Sequence, residues 1–253
     1  MEHELIKARL NLYAVLKNLE DLVKYDSEMA ELSRNWNLSI QFLVMGGPKA
    51  FIEFQNGACR VARGKHYAPS IKLFFLSPAH LNRMMDGNGN PIPLKGFTKI
   101  SFLTGDFTTL TDKLEYYLRP TEDLLKEKAY LELNTRFTLN TAAFALREIG
   151  ELDPVGKQVA AHIPDGAVLM KILPDGPAVN ILFQDGQIEP GIGETSDPMA
   201  CMFMKDVQMA NDFLNAKIDA FTAIASGDVT IKGQIPMLDS LSLILDRIPM
   251  YLT

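Results

Sequence analysis

Cysteine is nearly missing from this sequence: Cys59 and Cys201 are the only two in 253 residues, and neither belongs to a CxxC or a paired Cys/His spacing. A disulfide framework and a zinc site are therefore not indicated, and both thiols, lying in strand-like segments, read as structural. Histidine is scarce as well. His3, His66, His80 and His162 show neither HxxxH spacing nor an obvious carboxylate nearby, so solvated or packing roles are expected. There is no G-x-S-x-G, no P-loop and no G-x-G-x-x-G after a strand. Gly87-Asn-Gly89 and Gly191-Ile-Gly193 do not continue into a helix start, and they read as turns.

Long apolar runs are absent too. None reaches the roughly 18 residues of a membrane-spanning helix. Glu2, Glu4, Lys7, Arg9, Lys17 and Glu20 interrupt the stretch where a signal peptide needs apolar residues. A cytoplasmic location is expected, with no metal and no cofactor. Nor is there an excess of positive charge. Residues 1–125 carry 15 Lys and Arg against 14 Asp and Glu, and residues 126–253 carry 10 against 17, so the halves stand at +1 and −7. A nucleic-acid partner, which calls for a strongly basic face, is not expected.

What the chain does have is a globular balance, 47% hydrophobic and 22% charged, over a length that admits two domains. It also repeats itself. Gly47-Pro-Lys-Ala-Phe-Ile-Glu-Phe-Gln-Asn-Gly57 matches Gly176-Pro-Ala-Val-Asn-Ile-Leu-Phe-Gln-Asp-Gly186 at an offset of 129. The same offset pairs Gly64 with Gly193, Pro69 with Pro198, Phe74 with Phe203 and Asn82 with Asn211. Positions 47–82 contain ten identities in thirty-six ungapped pairs, where composition alone gives roughly two or three. The copies diverge at 86–96, rich in Pro, Gly and Asn, against 214–227. They rejoin at offset 128, with Leu110 against Leu238 and Arg119 against Arg247.

Each copy reads as β-β-β-β-α-β-α, the first four strands forming an antiparallel meander. First strands are expected at 42–45 and 168–172, second strands at 50–54 and 179–183, with hairpin turns at Asn56-Gly57 and Asp185-Gly186. Third strands follow near 59–62 and 187–189, and fourth strands at 71–76 and 199–204. Ser77-Pro78 and Asp206 are helix starts. Fifth strands are expected at 99–103 and 228–232, and a final amphipathic helix carries Leu110, Leu114, Tyr117 and Leu118 or Leu238, Leu241, Leu245 and Ile248. Additional helices at 4–24 and 121–147 precede the copies, the second opened by a Thr-Glu-Asp cap, and 150–165 reads as a loop. This gives an α+β chain of two domains, 1–120 and 121–253.

Residues 165–248, and with less detail 39–119, resemble the sterol carrier protein 2 family. The resemblance rests on the strand-turn-strand around Phe183-Gln-Asp-Gly186, on the apolar strand Cys201 to Met204 leading into a capped helix, and on Ile218-Asp-Ala-Phe-Thr-Ala-Ile-Ala-Ser-Gly-Asp-Val-Thr-Ile-Lys-Gly233. It implies a five-stranded, mainly antiparallel sheet covered on one face by helices, with an apolar tunnel between them that takes fatty acyl chains, acyl-CoA or sterols. Phe203, Phe213, Leu214, Phe221, Ile224, Met237, Leu241 and Leu245 would line that tunnel in the second copy. Met199, Met202, Met204, Met209 and Met237 would suit an adaptable wall or plain core. The first copy departs from the family where 86–96 replaces the short helix.

The function expected is binding or transfer of a hydrophobic ligand without catalysis: a fatty acid, an acyl-CoA, a sterol or an isoprenoid-like lipid. Transient contact with a membrane or an enzyme is compatible with it, and oligomeric state and ligand identity are left open. A rival reading is an accessory scaffold with filled tunnels, serving an enzyme that handles hydrophobic substrates. A weaker one is an enzyme using Asp206 or Asp219 at the tunnel mouth. Finally, Arg60, Arg63, Lys65, His66 and Lys72 face Glu189, Ile192, Glu194, Thr195 and Cys201 at matched positions. That reversal suits docking of the copies, an anionic ligand or membrane, or simply a solvated sheet edge.

Overall fold

In a computed structural model that describes residues 2–252, the chain divides into two compact units, Met1–Arg119 and Pro120–Thr253. The first opens with an almost unbroken helical run: α1 (Glu2–Leu10), a π turn at Asn11–Val15, a 3-10 turn at Leu16–Asn18 and α2 (Leu19–Tyr25). After α3 (Ser27–Ser33) come β1 (Asn37–Val44), β2 (Lys49–Gln55), β3 (Ala58–Arg63) and β4 (Ile71–Phe75). The unit closes with α4 (Pro78–Met85), β5 (Ile92–Lys95), a 3-10 turn at Phe97–Lys99, α5 (Ile100–Thr104) and α6 (Asp106–Leu118).

The second unit follows the same plan. A short 3-10 turn at Leu124–Lys126 precedes α7 (Lys128–Leu152) and α8 (Pro154–Ala160). Then come β6 (Gly166–Ile172), β7 (Ala178–Gln184), β8 (Gln187–Ile192) and β9 (Ala200–Met204). The chain continues through α9 (Val207–Leu214), α10 (Ala220–Ala225), β10 (Val229–Gly233) and α11 (Ile235–Leu245) to a 3-10 turn at Ile248–Met250. The sheets are ordered β3-β2-β1-β4-β5 and β8-β7-β6-β9-β10, the same order in chain terms. Asn56 and Asp185, at φ of 50° and 51°, begin the β2–β3 and β7–β8 hairpins as expected, each followed by a glycine at positive φ.

The expected meander is corrected. β4 and β9 pair with β1 and β6 in parallel, and every other pairing is antiparallel. A fourth strand beside the third would need only a tight turn, whereas a parallel return to the first needs a crossover. In the first unit buried polar side chains hold that crossover. Gln41 donates from Nε2 to the carbonyls of Ala50 (2.8 Å) and Gly64 (3.0 Å), and its Oε1 accepts the His66 N–H at 2.7 Å. The Ser39 and Ser70 hydroxyls each accept the other's backbone N–H.

Three local expectations also change. The fifth strand of the first unit is Ile92–Lys95, and 99–103 is helical. Gly96, at φ +89°, reverses the chain after the strand, and a Cβ there would come within 2.9 Å of Ile71 Cγ1. The long helix of the second unit begins at Lys128, because Thr121 caps only the short turn before it, its hydroxyl accepting the Leu124 N–H at 3.3 Å. The loop expected at 150–165 contains α8, started by Asp153 with Pro154 in the first turn.

Strand alternation sorts the sheet faces. Ile40, Phe42 and Val44 lie in register with Ile71, Leu73 and Phe75, and all six are buried. Val168, Met170 and Ile172 repeat this with Ala200, Met202 and Met204. Two polar locks recur in both units. Asn82 on α4 accepts from Asn11 Nδ2 at 3.1 Å, and Asn211 on α9 donates to Asn134 Oδ1 at 2.6 Å and to Thr135 Oγ1 at 3.0 Å. Asp26 caps α3 and accepts the Tyr117 hydroxyl at 2.8 Å, while Asp153 caps α8 and accepts that of Tyr251 at 2.6 Å. Each lock joins an opening helix to a later one, α4 or α9 in the first case and the closing segment in the second.

Candidate apolar ligand site

In the second unit the layer next to the sheet is built from α11, whose Met237, Leu238, Leu241 and Ile244 are buried, and from Met202 and Met204 on β9. The eight expected lining residues do not share one environment. Met237 and Leu241 are fully buried, and Leu245, Phe213 and Leu214 are half-buried. Phe221 and Ile224 on α10 are exposed, at 83% and 40%. That six-residue helix buries Ala223 alone.

Phe203 alternates with the buried Met202 and Met204, so its side chain leaves the sheet on the opposite face. There Lys232 Nζ lies 5.5 Å from its ring centroid. The spacing expected to turn Phe203 inward is out by one position, and the methionines on either side occupy the covered face. Met202 and Met204, already marked as a possible adaptable wall, lie on the covered face, and Ala223 is the buried position that the sequence reading did not single out. Among the five clustered methionines only Met199 is exposed.

The carboxylates considered at the mouth are helix caps. Asp206 accepts the Met209 N–H at 2.8 Å. Asp219 accepts the Thr222 hydroxyl at 2.6 Å and its N–H at 2.9 Å. The Thr222 side-chain bond leads the effects that lower the Asp219 carboxyl below its usual range, the wrong direction for a general base at neutral pH. Among the described residues no group of three or more His, Cys, Asp or Glu is placed to hold a metal ion. No helix there is long and apolar enough to cross a membrane.

The first unit holds two shallow clefts. One, of about 340 Å³, is bordered by Glu28, Met29, Thr109, Asp112, Lys113 and Tyr116. The other, of about 440 Å³, is bordered by Leu5, Arg9, Tyr13, the 46–48 turn and Arg63, with the Arg63 guanidinium 4.4 Å from the Tyr13 ring centroid.

The basic group does not converge on one point. Arg60 Nη2 and His66 Nε2 each lie 3.1 Å from the Glu53 carboxylate, which supplies the carboxylate that the sequence did not reveal for a histidine. The His66 hydrogen bond is the leading reason the Glu53 carboxyl sits low, outweighing burial with help from Arg60. His66 Nδ1 accepts the Ala68 N–H at 3.2 Å, so both ring nitrogens are engaged. Both cysteines are half-buried, and burial raises both thiols above their ordinary value.

No protein-family model matches the chain, and no curated protein matches it. The similar solved structures include proteins of the sterol carrier protein 2 family. The sterol carrier protein domain 2 of Helicoverpa armigera is 15% identical over 46% of this chain and 91% of its own, with a TM-score of 0.36. The UbiJ-SCP2 ubiquinone synthesis protein is 13% identical over 40% of this chain and 86% of its own, with a TM-score of 0.32. A stereoselective inverting sec-alkylsulfatase from a Pseudomonas species is 12% identical over 57% of this chain and 28% of its own, with a TM-score of 0.28.

Proposed function

We propose that this protein is a non-catalytic carrier of an apolar ligand, held in the second unit between the sheet and α10–α11. The observation that carries the reading is α10. A six-residue helix that buries only Ala223 and leaves Phe221 and Ile224 in solvent is a poor seal over an apolar layer. The layer itself contains Met202, Met204, Met209 and Met237, whose unbranched thioether side chains repack at low cost around ligands of different shape. An acyl chain or flat polycyclic lipid entering there would bury Phe221 and Ile224 and displace methionine side chains. Met237, Leu241 and Leu245 would form the inner wall, Phe213 and Leu214 the side toward α9. Phe203, on the other face, takes no part.

One observation favours the scaffold reading instead. Met202, Met204, Met237 and Leu241 are packed to 5% exposure or less. A filled layer of this kind needs no ligand.

Native mass spectrometry with organic extraction, on full-length protein purified from its own host, separates the two. A fatty acid, acyl-CoA, sterol or isoprenoid recovered at one per chain, and lost in Ile224→Asp, is the expected result. Repeated recovery of ligand-free protein that also ignores added acyl chains overturns the carrier reading in favour of the scaffold.

A further inference from the structure

The segment that sets the first copy apart, from β5 through α5, exposes a compact set of large apolar side chains. Leu94 is 51% exposed, Phe97 62% and Ile100 44%, and Ile92 joins them at the strand start. Isolated exposed apolar residues are ordinary, but four within nine positions on one turn are not. The turn is also held in shape. Gly96 fits only as glycine, and Phe102 anchors α5 by packing edge-on against Trp36, ring centroids 4.8 Å apart, so Phe97 and Ile100 are presented outward by a fixed scaffold.

Along the chain, the charge beside the set is of one sign. Between Asp86 and Asp106 the sequence has no acidic residue and carries Lys95 and Lys99. Neither lysine has a carboxylate partner among the described residues; the Lys95 ammonium donates to the Pro69 carbonyl at 2.6 Å. Lys72 lies opposite Lys95 in the β4–β5 register. The corresponding stretch of the second unit differs, because Asp219 and Asp228 are interspersed with Phe221 and Ile224.

From this juxtaposition we propose that the 92–100 turn of the first unit docks onto an anionic lipid surface, Phe97 and Ile100 entering the headgroup boundary and Lys95 and Lys99 meeting the lipid charge. Large apolar side chains beside lysines are the composition of segments that lie in a bilayer interface. The alternative for an exposed edge strand, pairing with a strand of another protein, is disfavoured because Pro91 and Pro93 blunt β5 for that purpose. This docking does not depend on whether the second unit holds a ligand.

The test is co-sedimentation of the full chain with vesicles of phosphatidylcholine, with and without phosphatidylserine, at low and raised salt. Binding is expected only with phosphatidylserine and is weakened by salt. Lys95→Glu/Lys99→Glu and, separately, Phe97→Ser/Ile100→Ser should each lower the partition by about tenfold or more. Because all four residues are on the surface, unchanged thermal melts of these variants show that they remain folded. A gain-of-signal variant, Phe97→Trp, should shift its emission to shorter wavelength when phosphatidylserine vesicles are added. No binding to phosphatidylserine vesicles, binding that both variants retain, or a self-association of the wild type that Phe97→Ser/Ile100→Ser abolishes overturns the proposal.

Discussion

Asp153 shows how much one buried carboxylate can organise. It accepts the Gly156 N–H at 2.8 Å, Arg247 Nε and Nη2 at 3.2 and 3.0 Å, and the Tyr251 hydroxyl at 2.6 Å. Burial alone would raise its carboxyl. The Arg247, Tyr251 and Gly156 bonds outweigh that and hold it below the usual range. A carboxyl depressed on folding adds stability above its unfolded value of about 3.9 and loses it as pH falls through the lower folded value. The second unit should therefore lose stability on acidification below about pH 4. Asp153→Asn should cost about 2–4 kcal/mol at neutral pH and flatten that acid limb, as read by urea unfolding across pH. On the alkaline side Tyr251 is pushed up to about 12, chiefly by burial and the Asp153 bond. Its contribution is complete below its ordinary value near 10 and fades as pH rises toward the folded one, so Tyr251→Phe should remove that alkaline dependence and cost about 1–3 kcal/mol.

At the scale of elements, stability should be uneven, and α10 should open first. In hydrogen-exchange mass spectrometry, peptides covering 219–226 should exchange at the earliest times while those within α7 stay protected. Added oleate should slow 213–226 selectively if the carrier reading holds, and leave it unchanged if the layer is permanently filled. The elements were unequally legible in the sequence. Hairpins at Asn56-Gly57 and Asp185-Gly186, and caps at Ser77 and Asp206, were readable because their signals are local. The parallel return of β4 and β9 was not, since an apolar strand carries no mark of which neighbour it joins. Lys99 to Leu103 reads as strand by propensity, but the turn at Gly96 and the Phe102 contact with Trp36 go with a helical backbone there. Of the candidate site, the apolar content of α11 was visible from helical spacing. The face of β9 was not legible for Phe203, because a strand apolar at every position, Ala200 to Met204, does not show which alternate set turns inward.

The whole molecule is a pair of complete units, each with its own sheet and buried centre. Residues 1–119 and 120–253, expressed separately, should each give a cooperative thermal transition and native-like circular dichroism; an unfolded fragment from either half would contradict this. Two such similar halves on one chain raise a difficulty that a single unit does not face. During folding, an opening helix of one half can meet the sheet of the other, and exchange of equivalent elements is a characteristic failure of tandem repeats. The buried asparagine pairs bear on that problem, because an asparagine is common to both locks and only the second partner differs. Asn82 reaches Asn11 and the Glu4 carboxylate, while Asn211 requires Asn134 and the Thr135 hydroxyl. A swapped helix would still offer an asparagine but would exchange the Glu4 carboxylate for the Thr135 hydroxyl, so whatever discrimination the locks give between sibling helices rests on that second partner.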